Sequence, residues 1–274
     1  MIRQAIVAGQ FYPAKKEELI AMLDKITSNF EPESNANKLM GLVVPHAGYV
    51  YSGAVAAKAF KTLCSERCPE TVVIIGPNHT GLGSMVSAYP EGYWKTPLGN
   101  AKIDEDFSTY LNKNCTILDN NVASHDAEHS IEVQIPFLQY LCDDFKIVPI
   151  SMSLQDYKTA TEVANAIYDA KEDLNRDIIV IASSDFSHYI PHEQAQKIDK
   201  ELIQLILDFK AKELLDTIHK NSYTPCGYGP IATMLEYCKL EKCQHTKLID
   251  YKTSGDIIGD KSAVVGYAAI EVRK

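Results

Sequence analysis

Four Val/Ile-rich runs, Leu42-Val43-Val44, Val72-Val73-Ile74-Ile75, Ile147-Val148-Pro149-Ile150 and Ile178-Ile179-Val180-Ile181, each give way to a turn and then to a helical period. Apolar runs without polar alternation suit strands buried on both faces. Helices are predicted between them at Lys15 to Thr27, Gly53 to Leu63, Ser130 to Leu141 and Asp156 to Lys171; in the first, Leu19, Met22, Leu23 and Ile26 share one face. Further helical stretches are predicted at Glu193 to Leu207 and Ala211 to His219, ahead of the turn Pro225-Cys226-Gly227-Tyr228-Gly229-Pro230. Thr246 to Thr253 and Ser262 to Val272 then read as two strands that pair antiparallel. The alternation predicts an α/β fold with a largely parallel central sheet flanked by helices and C-terminal antiparallel strands. No internal repeat or Pro/Ser-rich linker interrupts residues 1–274, which are therefore read as one domain.

The bulk chemistry narrows the function classes. Hydrophobic residues make up 46% and charged residues 23% of the chain, so a folded core is expected. With 27 basic against 36 acidic residues the formal charge is −9, and no stretch concentrates Lys and Arg among aromatics. Nucleic acid is excluded as a partner on that ground, because phosphate binding needs a clustered positive footprint. The apolar runs fall far short of the ~20 residues needed to cross a bilayer, and Met1-Ile2-Arg3-Gln4 lacks the apolar core of a signal peptide. A cytoplasmic protein with no membrane contact is the expectation. Its seven cysteines, odd in number and scattered, are expected to be reduced, with Cys64 and Cys68 as incidental thiols.

Three of the apolar runs lead straight into histidine-bearing loops: Val44-Pro45-His46, Gly76-Pro77-Asn78-His79, and Ser183-Ser184-Asp185-Phe186-Ser187-His188. Ligands of open α/β sheets bind outside the carboxyl ends of the strands, so histidines placed there converge on one crevice although remote in sequence. Neutral imidazole is the commonest metal ligand. Cys226 lies in a rigid turn just before Pro230, which is well placed to begin a helix. A helix N-terminus favours thiolate, the form that binds metal and attacks electrophiles; a buried inert thiol is the alternative. His125 and His129 stand at i and i+4 and could share a metal on a helix. The missing Glu after the first His favours a pocket-wall or helix-start role for that segment instead.

Val44-Pro45-His46-Ala47-Gly48-Tyr49, Gly76-Pro77-Asn78-His79, Ser124-His125 through Glu128-His129-Ser130, Ser184-Asp185-Phe186-Ser187-His188 and Cys226-Gly227, in this order, resemble the Memo family. Its archaeal and bacterial members are often called AmmeMemoRadiSam system protein B. The likeness extends over nearly the whole chain, from Arg3-Gln4-Ala5 and Gly9-Gln10-Phe11-Tyr12-Pro13 onward. It implies a fold similar to the class III, LigB-type extradiol dioxygenases, which hold non-haem Fe(II) with two His and a carboxylate. On that resemblance His46 and His79 match the two metal histidines, and Cys226 matches the position where Memo proteins carry cysteine instead of the carboxylate. His188, preceded by Asp185, matches the histidine that serves the dioxygenases as acid or base.

The implied metal ligands are thus His46, His79 and Cys226, and the implied catalytic groups His188, Asp185 and Cys226. Thiolate is softer and more easily oxidised than carboxylate, which argues against dioxygenase chemistry; two imidazoles and a thiolate suit copper, iron or zinc, and it is the resemblance that implies iron or copper ahead of zinc. Two functions compete: a redox metalloprotein or oxidoreductase, and a non-catalytic module that binds a peptide or protein in the inherited crevice. A small molecule or peptide is the expected occupant of the crevice, and the resemblance implies AMMECR-type and radical SAM proteins as partners. A serine hydrolase using Ser183, Ser184 or Ser187 is set aside, because triad members normally converge from separate elements.

Overall fold

A computed structural model describes residues 1–274. The first part of the chain runs β1 (Ile2–Arg3), α1 (Lys16–Thr27), β2 (Leu39–Val44), α2 (Tyr49–Glu66), β3 (Thr71–Pro77), β4 (Val86–Ala88), β5 (Tyr93–Thr96), β6 (Gly99–Ile103) and α3 (Glu105–Asn114). It continues through β7 (Leu118–Asp119), α4 (Ala123–Asp126), a 3-10 turn (Glu132–Gln134), α5 (Ile135–Leu141), β8 (Lys146–Met152), α6 (Tyr157–Asp173) and β9 (Ile178–Ser183). The last part is β10 (His188–Ile190), α7 (His192–Leu207), α8 (Ala211–Asn221), α9 (Tyr228–Leu240), β11 (His245–Thr253), α10 (Ser254–Ile258) and β12 (Val264–Arg273).

The strands form a 12-stranded sheet whose spine runs β1-β5-β6-β8-β3-β9-β2-β12-β10. From β6 through β8, β3 and β9 to β2 the pairing is parallel, and β12 closes antiparallel on β2 with β11 beyond it. The expected α/β architecture is therefore observed, including the C-terminal antiparallel pair. The unbroken apolar runs are explained by two cores, one on each face of the sheet. Val73 and Ile75 of β3 enter one core with Val180 and Ala182 of β9, and the alternate residues Val72, Ile74, Ile179 and Ile181 enter the other. That is the period-2 alternation of a strand with both faces covered.

Two expectations need correction. Residues 130–141 do not form one helix: a 3-10 turn precedes α5, whose second residue is Pro136, a position where the missing N–H costs nothing. Cys64 is not a reduced thiol but is disulfide-bonded to Cys142, 78 residues away, with Cα atoms 5.6 Å apart. The ends of α2 and α5 meet only in three dimensions, so spacing along the chain carried no sign of the bridge. No helix is long and apolar enough to cross a membrane.

Position in the sheet is what assembles the site. β9 lies between β2 and β3, so the loop that leaves it at Ser184 is flanked by the loop carrying His46 on one side and that carrying His79 on the other.

Candidate metal centre

His46 follows β2 directly and is almost wholly buried, at 2% exposure. Its backbone N–H donates to Asp185 Oδ1 at 2.9 Å, which locks the β2 loop to the β9 loop. Its ring Nδ1 lies 2.9 Å from Ser183 Oγ. That hydroxyl has a single proton, which it donates to Ser130 O at 2.7 Å, and it also accepts from Gln134 Nε2 at 2.9 Å. The ring must therefore be the donor at Nδ1, and the lone pair of His46 resides on Nε2.

The same logic sets His79. Its backbone N–H donates to Glu128 Oε2 at 2.5 Å and its Nδ1 to Glu128 Oε1 at 3.0 Å. A carboxylate only accepts, so Nε2 of His79 is again the free nitrogen. His129 leans on the same carboxylate, with Nδ1 3.4 Å from Glu128 Oε1, and stacks on His79 with ring centroids 4.9 Å apart. Ligand atoms of His46, His79 and His129 all lie within 4.8 Å of one another, a spacing from which three imidazoles can hold one ion.

Cys226 stands beside this trio, its Sγ 3.1 Å from His46 Nε2. The backbone N–H of Asp185 donates to the same sulfur at 3.3 Å, and the N–H of Cys226 donates to Asp185 O at 3.2 Å. Gly227 permits that approach: a Cβ there would run into the Ser183 carbonyl and lie 2.7 Å from Ser184 Cβ. Gly227→Ala should therefore overpack the turn, costing about 1–3 kcal/mol in urea unfolding, and push Cys226 off His46. A stability equal to the parent would show that the turn relaxes freely.

Electrostatics depart from expectation at the thiol. Burial, and next the Asp185 charge, push the Cys226 thiol well above its ordinary range, so without an ion the residue is a thiol and not the thiolate that a helix N-terminus favours. Burial also raises the Asp185 carboxyl to about 6 against the lowering effect of the His46 N–H. His46 is held well below the usual imidazole range by burial and by the neighbouring His129, His79 and His188, and His129 is lowered chiefly by burial. Glu128 is buried, which would raise it, yet its bonds to His79 and to the Ser130 N–H bring it down to about 2. His79 is raised in turn, because the Glu128 bond and charge outweigh its own burial.

The histidines open into a cavity of about 620 Å³. Phe11, Tyr51, Tyr189, Val265 and Tyr267 form its apolar wall, Asp185 and His188 its polar edge, and no Lys or Arg lines it. His188 Nδ1 lies 2.8 Å from the carbonyl of Thr224, an acceptor only, so its Nε2 is free to take a proton. His188 thus reaches the shared cavity without joining the trio.

His129, for which the sequence predicts a pocket-wall or helix-start role, lines the cavity and also joins His46 and His79. Sharing a metal with His125 is ruled out geometrically. α4 ends at Asp126, and His125 points into the core against Tyr89 and Trp94, with centroids at 5.5 and 5.8 Å. Glu128, a buried carboxylate between His79 and His129, orients both, and nothing in the sequence marks which acidic residue will be buried.

The family described as Memo-like protein matches residues 3–271. This chain belongs to the Memo family. Relatives named as MEMO1 family proteins span essentially full lengths on both sides: one from Methanopyrus kandleri is 46% identical over 100% of each chain, and one from Methanocaldococcus jannaschii 48% over 98% of each. A third, from Pyrococcus furiosus, is 40% identical over 100% of each. Among solved structures, an uncharacterized protein of Escherichia coli K12 aligns with a TM-score of 0.57 at 13% identity, covering 85% of this Memo chain and 99% of its own. At that identity the likeness concerns the fold alone.

Proposed function

We propose that this Memo protein is a transition-metal protein, with iron or copper held by the imidazoles of His46, His79 and His129 and with Cys226 as a soft fourth donor. The observation that carries the reading is that the His46 and His79 rings donate from Nδ1 to Ser183 and Glu128, so that each ring in its neutral form presents an Nε2 lone pair. Three imidazoles with an adjacent sulfur suit copper, iron or zinc by softness, and the easily oxidised sulfur favours a redox role. When bound, the ion would supply electron transfer or Lewis acidity to a molecule in the cavity. Asp185 and the free Nε2 of His188 sit at the cavity edge, where they can hold or move a proton on that molecule.

The test is metal analysis of protein purified without an affinity tag, repeated for His46→Ala, His79→Ala, His129→Ala and Cys226→Ala. Loss of stoichiometric metal in the three histidine variants, with a changed sulfur-to-metal charge-transfer band in Cys226→Ala, is expected. Unchanged metal content in all four would overturn the reading. A ligand captured in the cavity with affinity indifferent to chelator would favour the binding-module alternative.

Uptake should also depend on pH in a defined direction. His46 and His129 are neutral at pH 7, whereas His79 is raised above 6.5 and must lose its proton to ligate. Affinity should rise with pH through the His79 range and go on rising above it, because the Cys226 thiol must also lose its proton to ligate, with protons released on binding. Calorimetry in buffers of different ionisation enthalpy measures that release, and a pH-independent affinity between about 5.5 and 8, around the imidazole range, would contradict it.

A further inference from the structure

α9 begins at the Cys226 turn and ends, on the far side of one core, at a second group of sulfurs. Its last turn closes as a Schellman cap: Cys243 N–H donates to Cys238 O and Lys242 N–H to Lys239 O, both at 2.9 Å, and Lys242 takes the left-handed conformation at φ +61 where glycine is usual. In this cap the residues three before and two after the helix end make a side-chain contact that is ordinarily apolar. Here the two positions are Cys238 and Cys243, tied to each other by that backbone bond. Cys238 is fully buried and Cys243 8% exposed, while Met234 Sδ lies 3.7 Å from Cys238 Sγ. A Cβ on Gly41 of β2 would run into Met234 Sδ and stand 2.9 Å from Cys238 Sγ, so the strand leaves room for these sulfurs.

We propose that Cys238 and Cys243 are a redox-active dithiol that closes to a disulfide across the C-terminal cap of α9, with a small-molecule disulfide as oxidant. The backbone bond between the same two residues already holds their Cα atoms close, which removes most of the conformational cost of closure. Access sets the order of events. The thiolate of Cys243, 8% exposed where Cys238 is fully covered, attacks the external disulfide; an S–S bond breaks, a mixed disulfide forms and one thiol leaves with the Cys243 proton. Cys238 then attacks Cys243 Sγ, the mixed S–S bond breaks, and the second thiol leaves with the Cys238 proton. In sum, two protein thiols are oxidised by two electrons and one external disulfide is reduced to two thiols. Burial and the neighbouring thiol push Cys238 well above its ordinary range, so the second step is the slower one.

The full-length protein is incubated with oxidised glutathione in excess over reduced, quenched in acid, alkylated and digested with trypsin. Cleavage after Lys239 and Lys242 separates the two cysteines, so a disulfide appears as two joined peptides lighter by two hydrogens than the pair of thiol peptides. Joined peptides are expected, with fragmentation placing the bond between Cys238 and Cys243 and not on Cys226, which shares the tryptic peptide 221–239, and with the buried Cys115 alkylated as a free thiol. A second readout is the unfolding midpoint, which should rise by about 4 °C on oxidation in the parent relative to Cys243→Ala in the same buffers. Alkylated Cys238 and Cys243 in a sample whose exposed Cys68 has taken up glutathione would overturn the proposal, as would glutathione held on Cys243 without transfer to Cys238. The peptide map of the parent decides the matter even if the variant does not fold.

Discussion

Glu132→Ala is expected to destabilise the protein by about 3–5 kcal/mol, because it removes one partner of a buried ion pair and leaves the other charge uncompensated. Arg3 Nη1 and Glu132 Oε2 lie 2.6 Å apart, with side chains 2% and 1% exposed. Glu132 also accepts from Tyr12 Oη at 2.6 Å and from the backbone N–H groups of Ile6 and Val7, its shortest contact to Ile6 being 3.0 Å and to Val7 3.1 Å. Arg3 donates to His125 O and Glu128 O at 2.8 and 2.7 Å and lies 4.0 Å over the Trp94 ring. One ion pair therefore fastens the N-terminal segment, including Phe11 against His129, to the segment that carries Glu128 and His129. Glu132→Gln keeps an acceptor for the N–H groups and should cost less. The measurement is the urea midpoint at constant m-value, and a loss below about 1 kcal/mol for the alanine variant would mean that water replaces the carboxylate.

Glu128→Gln should lower metal affinity by about 10–100-fold while leaving the ion-binding nitrogens in place. Glu128 touches no ion in the proposed centre; it holds two imidazoles by their Nδ1 atoms and accepts the N–H groups of His79 and Ser130. The substitution also removes the charge that raises His79, so its proton should leave at lower pH and the pH dependence of metal uptake should shift acidward. A purely structural role would lower affinity without moving the pH profile. The carboxylate has a further signature in stability. Its folded value of about 2 lies below the ordinary 4.5, so its contribution is present above 4.5 and is lost as pH falls through 2. The acid limb of the unfolding curve should therefore flatten in the Gln variant.

Much of this architecture is written in local chemistry. The Val/Ile runs without polar alternation specify strands covered on both faces, and the turn residues that follow them specify where the chain leaves the sheet. For that reason the α/β class, the C-terminal strand pair and the arrival of His46 and His79 just past strand ends are legible in the sequence, whereas His188 opens β10. Strands from Val86 to Ile103 are not legible there, because β4, β5 and β6 are only three to five residues long, and β4 and β6 are placed by β8, remote in the chain.

The site divides along the same line. The sequence by itself determined which residue types arrive at the carboxyl edge of the sheet, since a strand delivers its next residue to that edge whatever its neighbours are. Only the tertiary structure decided that His129 completes the imidazole trio, that His125 turns into the core, that Cys226 is a thiol beside His46, and that Cys64 meets Cys142. The physical reason is that side-chain direction, burial and proton position depend on contacts between segments far apart along the chain. No local pattern of residues encodes which lone pair will face which neighbour.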